Sequence, residues 1–441
     1  MPLHPVLEER LNTALSTVAQ PTFTPRDARL PEVPGKAHAV IGMRRAGKTT
    51  FLRQLLAQRR AQHPSAQVLY LSFDDDRLVG IGVEQLGFLL EEFYRRYPAL
   101  RGRQSVLWLL DEIQLVSGWE RFVRRVMDSE RAEFVVSGSS ARMLSREVHT
   151  ALRGRGMETV IRPFSFREFL RHRAEEPTRP AREWTSAERS LIEKRFREFL
   201  VAGGFPEVQG LDASLRIEIL QGYVDTVLFR DLVERYEIAQ VAALRSLVRQ
   251  CLRNPAGSFS VHRLSQDLRS QGHGVARNAV NAMLSHLTDA FLLSDVSVAT
   301  DSERKRNSNP RKIYPADPAL IPAFDASGRA NLGHALETVV FNELERRRAD
   351  ISYVKTTEGL EVDFLARHRG TGEELIQVCA SLRSSDTVAR ELRALEAAAK
   401  EYPRARRRLL VLDRDAAGEV IGAPGVEVLP AYEWVLAEVV E

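Results

Sequence analysis

Residues 37–50 constrain the fold of this chain more than any other stretch. They read Ala-His-Ala-Val-Ile-Gly-Met-Arg-Arg-Ala-Gly-Lys-Thr-Thr: a short apolar run, a glycine-bounded loop and the start of a helix. Gly42 and Gly47 permit backbone angles that a side chain would forbid, so the loop can turn its N–H groups toward one centre. The next helix adds the positive end of its dipole there. In this context, the spacing Gly-x-x-x-x-Gly-Lys-Thr predicts a loop that binds nucleotide phosphates.

The same pattern predicts roles for individual loop residues. We expect Lys48 to reach the β- and γ-phosphates of ATP, and the Thr49 hydroxyl to hold Mg²⁺. The residues expected around the nucleotide are Gly42, Arg44, Arg45, Ala46, Gly47, Lys48, Thr49 and Thr50. The alternative is a glycine-rich turn that only joins a strand to a helix, and it needs the full pattern to arise by chance.

A second apolar run, residues 105–110, ends in the acids Asp111 and Glu112. Ligands of parallel sheets bind at the carboxyl ends of the strands. We therefore expect Asp111 to contact Mg²⁺, directly or through water, and Glu112 to polarise the attacking water. Phosphoryl transfer needs mainly positioning and charge compensation, so this small set suffices. The alternative is a strand-ending turn that happens to be acidic.

Two further polar stretches are candidates for the same site. Residues 134–140 form an apolar run that ends in hydroxyls, and Ser139 is a candidate for contact with the γ-phosphate or the water. The alternative is that Ser139 or Ser140 caps the next helix. Arg155, in a basic link before the last strand, is a candidate for neutralising γ-phosphate charge in its own subunit or a neighbour's. For Arg155 the alternative is plain surface charge.

From residue 36 to about 162, apolar runs alternate with amphipathic segments. Runs without polar alternation are typical of strands covered on both faces, so an α/β fold with a parallel sheet is predicted. The predicted strands are 37–42, 68–73, 106–111, 133–137 and 158–161, with a helix at 140–146 after the fourth. Helix-start capping boxes are predicted at residues 117–120 and 165–168.

The length of 441 residues is typical of two to four domains. The predicted parts are an arm (1–35), a P-loop core (36–170), a helical lid or linker (171–255), a winged helix (256–325) and a small α/β domain (326–441). Two cysteines form neither a disulfide framework nor a zinc spacing, which is consistent with the cytoplasm. No apolar run approaches the roughly 18–20 residues of a membrane span. The net charge of +4 supports nucleic-acid binding only weakly, and an Arg-rich solvated surface is the alternative.

Residues 258–316 have the pattern of a winged helix. Two amphipathic helices precede two strands, with a basic tip at Arg304, Lys305 and Arg306 between the strands. A helix in the major groove with a basic wing on the phosphates is a DNA-binding arrangement. DNA is therefore the expected partner, and a winged helix used only for protein packing is the alternative.

The last part of the chain presents a partial metal-nuclease pattern. Asp363 lies in a predicted strand and Glu337 on a predicted helix, so both could hold a metal ion. The positions where a cleaving site needs a second acid and a lysine hold Gln377 and Cys379. Gln is neutral and Cys is not a fixed cation, so nuclease activity is not expected.

The ordered motifs together resemble a known family over nearly the whole chain. These motifs are Gly42–Thr49, Leu109–Gln114, Val136–Ser140, Leu152–Arg155, Pro163–Phe169, Gly203–Glu207 and Glu361–Phe364. The chain is similar to the prokaryotic AAA-type ATPases with a C-terminal domain called DUF4143. The resemblance implies an AAA core, a winged helix and a restriction-endonuclease-like terminal fold, and it makes a homo-oligomer possible.

Two hypotheses of function follow from these residues. In the first, a cytoplasmic Mg²⁺-dependent ATPase couples ATP hydrolysis to DNA binding or remodelling. In the second, a nucleotide-gated module binds protein or DNA and hydrolyses ATP only slowly, as a timer. A third, metal-dependent cleavage of DNA by Asp363 with Glu337, is the least supported.

Overall fold

The computed structural model describes residues 2–16, 23–64, 67–138, 152, 154–325, 331–370, 372–381, 385–418, 420 and 423–437. The chain divides into two compact units. The first unit comprises Met1–Arg162 with Asp289–Phe291, and the second comprises Pro163–Thr288 with Leu292–Glu441. Within the described ranges, no helix is both long and apolar enough to cross a membrane.

A five-stranded parallel sheet forms the centre of the first unit. Its strands are β1 (Ala37–Ile41), β2 (Val68–Ser72), β3 (Val106–Asp111), β4 (Ala132–Ser137) and β5 (Gly156–Val160). They lie in the order β2-β3-β4-β1-β5, and every neighbouring pair is parallel. Alternate residues of β1 to β4 enter two different apolar clusters; in β1, Ala39 belongs to one and Val40 to the other. The predicted parallel sheet with both faces covered is confirmed.

In the described part of the first unit, four helices accompany this sheet: α1 (Pro5–Ser16), α2 (Lys48–Arg60), α3 (Val83–Arg96) and α4 (Trp119–Ser129). The capping box predicted at 117–120 is wrong. The cap of α4 is Gly118, in the left-handed region with φ 79°, and it makes no side-chain capping bond. The predicted helix at 140–146 lies outside the described residues.

The predicted N-terminal arm is part of the first unit rather than a separate segment. Helix α1 buries Val6, Leu7 and Leu11 in the same apolar cluster as the sheet, because these positions share one face of the helix. At the other end, the first unit stops at Arg162, whereas the predicted core runs to residue 170.

The second unit begins with helices. In chain order they are α5 (Phe166–His172), α6 (Ser186–Ala202), α7 (Ala213–Thr226), a π-helix (Val227–Val233), α8 (Glu234–Tyr236), α9 (Val241–Arg253), α10 (Val261–Ser270), α11 (Arg277–Asp289), α12 (Glu303–Ser308), α13 (Leu320–Phe324), α14 (Leu332–Arg346), α15 (Ser385–Glu401), α16 (Arg414–Gly418) and α17 (Ala431–Leu436). The capping box predicted at 165–168 is confirmed, since Ser165 and Glu168 each bond the other's backbone N–H.

A small antiparallel sheet has its first strand before α10 and its other two strands after α11. Its strands are β6 (Ser258–Phe259), β7 (Leu293–Val296) and β8 (Arg311–Pro315), in the order β6-β8-β7. The order helix–helix–strand–strand was predicted, whereas the strand β6 that precedes it was not. The tip between β7 and β8 also differs from the predicted pattern, because it forms the short helix α12 capped by Ser302.

A second five-stranded sheet lies in the C-terminal part of the second unit. Its strands are β9 (Asp350–Lys355), β10 (Glu361–His368), β11 (Gly372–Cys379), β12 (Arg406–Val411) and β13 (Val426–Pro430), side by side in chain order. The first three are antiparallel to their neighbours and the last three are parallel. The predicted α/β character of this region is therefore present.

Candidate nucleotide-binding site

The loop between β1 and α2 has a backbone that ordinary residues rarely adopt. Gly42 has φ 143°, and a Cβ there would lie 2.1 Å from the carbonyl oxygen of Ile161. Gly47, at the start of α2, has φ 102°, and Arg45 has φ 65°. The two glycines therefore allow the close approach and the turn for which the sequence pattern needs them. This cradle fits a polyphosphate at the N-terminus of α2.

Lys48 lies within the curve of this loop. Its side chain is buried, and Nζ donates to the carbonyl oxygens of Gly42 at 2.9 Å and Met43 at 3.0 Å. Both acceptors are neutral, so a phosphate oxygen would be a stronger partner for the ammonium group. Thr49 is half-buried at the first turn of α2, whereas Thr50 and Arg45 are exposed.

The acid at the end of β3 is held by two hydroxyls. Asp111 is 2% exposed; Tyr70 Oη donates to its Oδ2 at 2.8 Å, and Ser137 Oγ donates to its Oδ1. Burial, and then the Asp111 carboxylate, raises the pKa of Tyr70, so its hydroxyl keeps its proton and remains a donor. The carboxylate therefore has a fixed orientation at the edge of the sheet where the phosphate loop also lies.

Glu112 is the next residue and has an unusual backbone conformation. Its φ of 55° lies in the left-handed region, which costs a residue with a side chain about 1–2 kcal/mol. Its N–H donates to Ser137 Oγ at 3.3 Å, and its Oε2 accepts from Gln114 Nε2 at 2.5 Å. Non-glycine residues in this region cluster at functional sites. The chain therefore leaves the direction of β3 at Glu112, whereas Asp111 is still the last residue of that strand.

Arg26 is a residue near the site that the sequence did not indicate. Arg26 donates from Nη1 to the carbonyl oxygen of Ala46 at 3.1 Å, and from Nη2 to the carbonyl oxygen of Arg162. Nearby, Gln54 of α2 donates to the carbonyl oxygen of Thr24 at 2.6 Å. Residues 23–30 are thereby fastened to the phosphate loop and to α2. No local motif marks Arg26, because its partners lie 20 and 136 residues away.

Tyr70 and Ser137 show what strand register adds to the sequence pattern. Ser137 was within the stretch of hydroxyls considered for the site, but Tyr70 was not a candidate. The pairing of β2 with β3 sets Tyr70 beside Leu109, two residues before Asp111. A tyrosine two residues before the end of a neighbouring strand would have been the signal, but it needs the strand order.

Arg155 lies at the wrong edge of the sheet to act in its own subunit. It immediately precedes β5, which pairs with β1 so that Gly156 lies beside Ala37, at the start of both strands. The phosphate loop follows the other end of β1. Arg155 is exposed and pairs with Asp128. The expectation that it serves its own site is corrected on this geometry, and a role across a subunit interface stays a prediction. Ser139 lies outside the described residues.

Comparison with known proteins agrees with this fold and site. Residues 34–170 match the family described as "AAA domain", and residues 193–330 match a domain of unknown function, DUF8612. The first unit is thus an AAA-type P-loop domain. The matched C-terminal domain is DUF8612, and not the DUF4143 that the resemblance had implied.

The chain belongs to the same family as the uncharacterized protein MJ1544 of Methanocaldococcus jannaschii. The two are 32% identical over 424 residues, which is 93% of this chain and 90% of that protein. An uncharacterized protein of Haemophilus influenzae is 28% identical over 74% of this chain and 78% of its own length.

Two solved structures resemble the chain more loosely. The Walker-type ATPase paby2304 of Pyrococcus abyssi gives a TM-score of 0.40 at 14% identity, covering 73% of this chain and 95% of that chain. The ORC1 protein of Aeropyrum pernix, solved in complex with DNA, gives 0.31 at 19% identity, covering 73% and 91%. At such low TM-scores neither likeness bears on the function of this chain.

Proposed function

We propose that this chain is a Mg²⁺-dependent ATPase. The observation that carries the proposal is the meeting of Lys48, Asp111 and Glu112 at one edge of the parallel sheet, beside a loop that requires Gly42. A glycine-rich turn that only connects two elements does not explain a buried lysine within the loop. Nor does it explain a buried acid oriented by two hydroxyls.

The chain's own groups divide the work of phosphoryl transfer. The backbone amides of the loop and the Lys48 ammonium group bind the phosphates and compensate their charge. Thr49 and Asp111 would hold Mg²⁺, which supplies further charge compensation when bound. Glu112 orients and polarises the attacking water, and Gln114 holds one of its carboxylate oxygens in place.

Two substitutions test this assignment. Lys48→Ala removes the phosphate-binding cation, so ATP binding and turnover are both lost. Glu112→Gln keeps the cradle and loses the group that polarises water, so ATP still binds while turnover falls about 100-fold or more. Glu84→Gln, at an exposed acid of α3, is the control and leaves turnover unchanged. Wild-type turnover in either site variant would show that the site is assigned wrongly.

We further propose that ATP turnover is coupled to DNA through α12. Arg304 and Lys305 are exposed on this short helix. Arg306 has a different role, because it pairs with Glu303 at 2.6 Å and donates to the carbonyl oxygen of Thr300 at 2.9 Å. Of the three basic residues predicted at the tip, Arg304 and Lys305 would contact DNA phosphates, while Arg306 holds the tip in place.

Salt dependence of DNA binding tests this coupling. The double variant Arg304→Ala, Lys305→Ala weakens binding and lowers the slope of log affinity against log salt by about 1–2, because each phosphate contact releases a counterion. Arg182→Ala, at a side chain 84% exposed elsewhere in the second unit, is the control for general positive charge. An unchanged slope in the double variant would remove α12 from the interface.

The second candidate is a nucleotide-gated module in which slow hydrolysis acts as a timer. It is favoured by the internal bonds of Lys48 and Glu112, which must rearrange before catalysis. Turnover measured with and without single-stranded, duplex and branched DNA distinguishes the two: DNA accelerates a coupled ATPase and leaves a timer unchanged. Cys251 and Cys379 are free thiols, which supports the cytoplasm as the proposed compartment.

A further inference from the structure

The second unit contains a buried ammonium group surrounded by the carboxyl groups of three acidic side chains. Lys312 of β8 has a side chain only 3% exposed. Its Nζ lies 2.8 Å from Asp363 Oδ1, 2.9 Å from Glu361 Oε1 and 3.3 Å from Glu337 Oε1. These acids come from β10 and α14. An ammonium group has three N–H donors, and here each has a carboxyl oxygen as its acceptor.

The carboxylates are fixed by further partners. The second oxygen of Asp363 accepts the N–H of Val378 at 3.0 Å, and Glu337 Oε1 also accepts from Tyr314 Oη at 2.8 Å. Gln377 accepts the N–H of Asp363 at 3.2 Å and donates to Glu391 at 2.7 Å. The neutral Gln377 therefore serves as a support for Asp363. The oxygens that surround Lys312 are held in place by the two sheets and α14.

Charge keeps the lysine protonated. Burial alone would lower the pKa of Lys312, but Asp363, Glu337 and Glu361 outweigh it and raise that pKa well above its usual value. A buried ammonium group without such partners would lose its proton instead. The arrangement is thus a site for a cation, and the cation is part of the chain.

We propose that the Lys312 ammonium group is the resident cation of this site, and that it excludes a divalent metal ion from it. The oxygens lie 2.8–3.3 Å from its nitrogen, while Ca²⁺ needs oxygens at about 2.3–2.6 Å, so a modest contraction would suit a metal ion. Glu361, 38% exposed, has room to make that movement. As folded, the described residues contain no group of three or more His, Cys, Asp or Glu that could hold a metal ion.

Two consequences follow for the C-terminal part of the chain. Asp363 and Glu337, the residues considered for a metal nuclease, are engaged by Lys312, so they hold β8 against the second five-stranded sheet. A lysine with all its donors bound to carboxylates is also not placed to orient a water molecule. The cluster is independent of nucleotide chemistry, so its failure in a test would leave the proposed ATPase untouched.

Tb³⁺ luminescence tests this proposal directly, because tyrosine close to a bound Tb³⁺ sensitises its emission. Tyr353 lies with its ring centre 5.9 Å from Lys312 Nζ, and Tyr314 bonds Glu337. Lys312→Ala is expected to gain a saturable, tyrosine-sensitised component that the wild type lacks. The double variant Lys312→Ala, Asp363→Asn is the control, and it loses that component again. Signal common to all three proteins belongs to sites elsewhere.

Thermal unfolding gives a second readout that also guards against a poorly folded variant. Lys312→Met keeps the apolar stem but removes the ammonium group from the acids around it. We therefore expect its Tm to fall by roughly 6–15 °C. Ca²⁺ or Mn²⁺ is expected to raise the Tm of Lys312→Ala more than that of the wild type. An equal response of the two proteins would overturn the proposal.

A third measurement compares the wild type with Glu361→Gln, so it does not depend on the loss of Lys312. Because Lys312 occupies the site, Glu361→Gln, at the most exposed of the three acids, should give the same Tb³⁺ titration as the wild type. A wild-type component that is lost in Glu361→Gln would show that a metal ion displaces Lys312. Cleavage of plasmid by the wild type in Mn²⁺, lost in Asp363→Ala, would also overturn the proposal.

Discussion

Gly42 illustrates how closely one residue can limit a site. Its φ of 143° is open almost only to glycine, and a Cβ would meet the backbone oxygen of Ile161 at 2.1 Å. That oxygen belongs to the backbone, and the N–H of the same residue donates to the carbonyl oxygen of Ile41 at 2.7 Å, so this segment has little room to move. We predict that Gly42→Ala lowers the free energy of unfolding of the first unit by about 3 kcal/mol or more and abolishes ATP binding. Urea unfolding followed by fluorescence of Trp108 and Trp119 measures the first effect.

Gly35→Ala provides the matched control. Gly35 also has positive φ, 71°, but a Cβ there would meet nothing within 4 Å. The substitution should cost only about 1–2 kcal/mol, and ATP binding should persist. Equal losses in the two variants would mean that backbone strain, and not the contact with Ile161, is what excludes a side chain at Gly42.

Arg26 offers a second prediction at the scale of a single residue. Its guanidinium group holds the carbonyl oxygen of Ala46, within the phosphate loop, and that of Arg162 beyond β5. Arg26→Ala should free the loop, so ATP binds roughly 10- to 100-fold more weakly, as expected for loss of a charged hydrogen bond. A fluorescent ATP analogue measures the affinity. Arg29→Ala, at an exposed side chain three residues later, is the control; an equal loss there would point to general charge.

At the scale of elements, the sequence predicted what depends on neighbouring residues. The apolar runs of β1 to β4 are dense enough to identify buried strands, and the predicted bounds differ by a residue or less from those observed. The capping box at Ser165 was predictable because donor and acceptor lie three residues apart. The box at Ser117 failed because Gly118 adopts a left-handed conformation and begins the helix without a side-chain cap.

Contacts between distant elements were not predictable in this way. Lys312 meets Asp363 across 51 residues, and no local pattern indicates that β8 supplies the cation. The sequence placed the missing lysine at Cys379, by analogy with a cleaving site, and so left the cluster incomplete. Strand order had the same effect on Tyr70, whose bond to Asp111 exists only because β2 lies beside β3.

The contact between α14 and β8 predicts that the stability of the second unit depends on pH. Burial, and then the Asp363 carboxylate, raises the pKa of Glu337 from 4.5 to about 8. The folded chain therefore keeps a proton that the unfolded chain has lost. The stability this proton contributes is fully present below pH 4.5 and is lost as pH rises through about 8. We expect the free energy of unfolding of the second unit to fall by about 2 kcal/mol between pH 6 and 8.

Glu337→Gln separates this effect from other groups. Glutamine keeps the shape but does not titrate, so the loss between pH 6 and 8 should disappear. Asp317, also buried, has a pKa raised to about 6, so it adds only a small slope near pH 6, and that slope remains in Glu337→Gln. Urea unfolding can be followed by labelling of buried Cys251, since both cysteines lie in the second unit. Glu343→Gln, on the same helix, is the control; if it too removes the slope, Glu337 is not the cause.

At the scale of the whole molecule, the position of Arg155 bears on whether a second subunit completes the nucleotide site. The start and end of β1 are separated by about 16 Å, the length of five strand residues. Arg155 lies near the start and the phosphate loop follows the end. If Arg155 completes a site, that site therefore belongs to a neighbouring copy of the chain. In its own subunit it pairs with Asp128 on the surface, and this pair is exposed enough to exchange partners at little cost.

Mixing two inactive variants decides whether Arg155 acts in this way. Arg155→Ala has an intact Glu112 but cannot supply the arginine, whereas Glu112→Gln supplies it but cannot polarise water. In a mixed oligomer, the Glu112→Gln subunit would complete the site of its Arg155→Ala neighbour, so we predict that turnover of the mixture exceeds that of both variants. Asp128→Ala, which frees Arg155 from its surface partner, should retain activity. If the mixture gives only the average of its parts, Arg155 is surface charge and the site is complete without a second subunit.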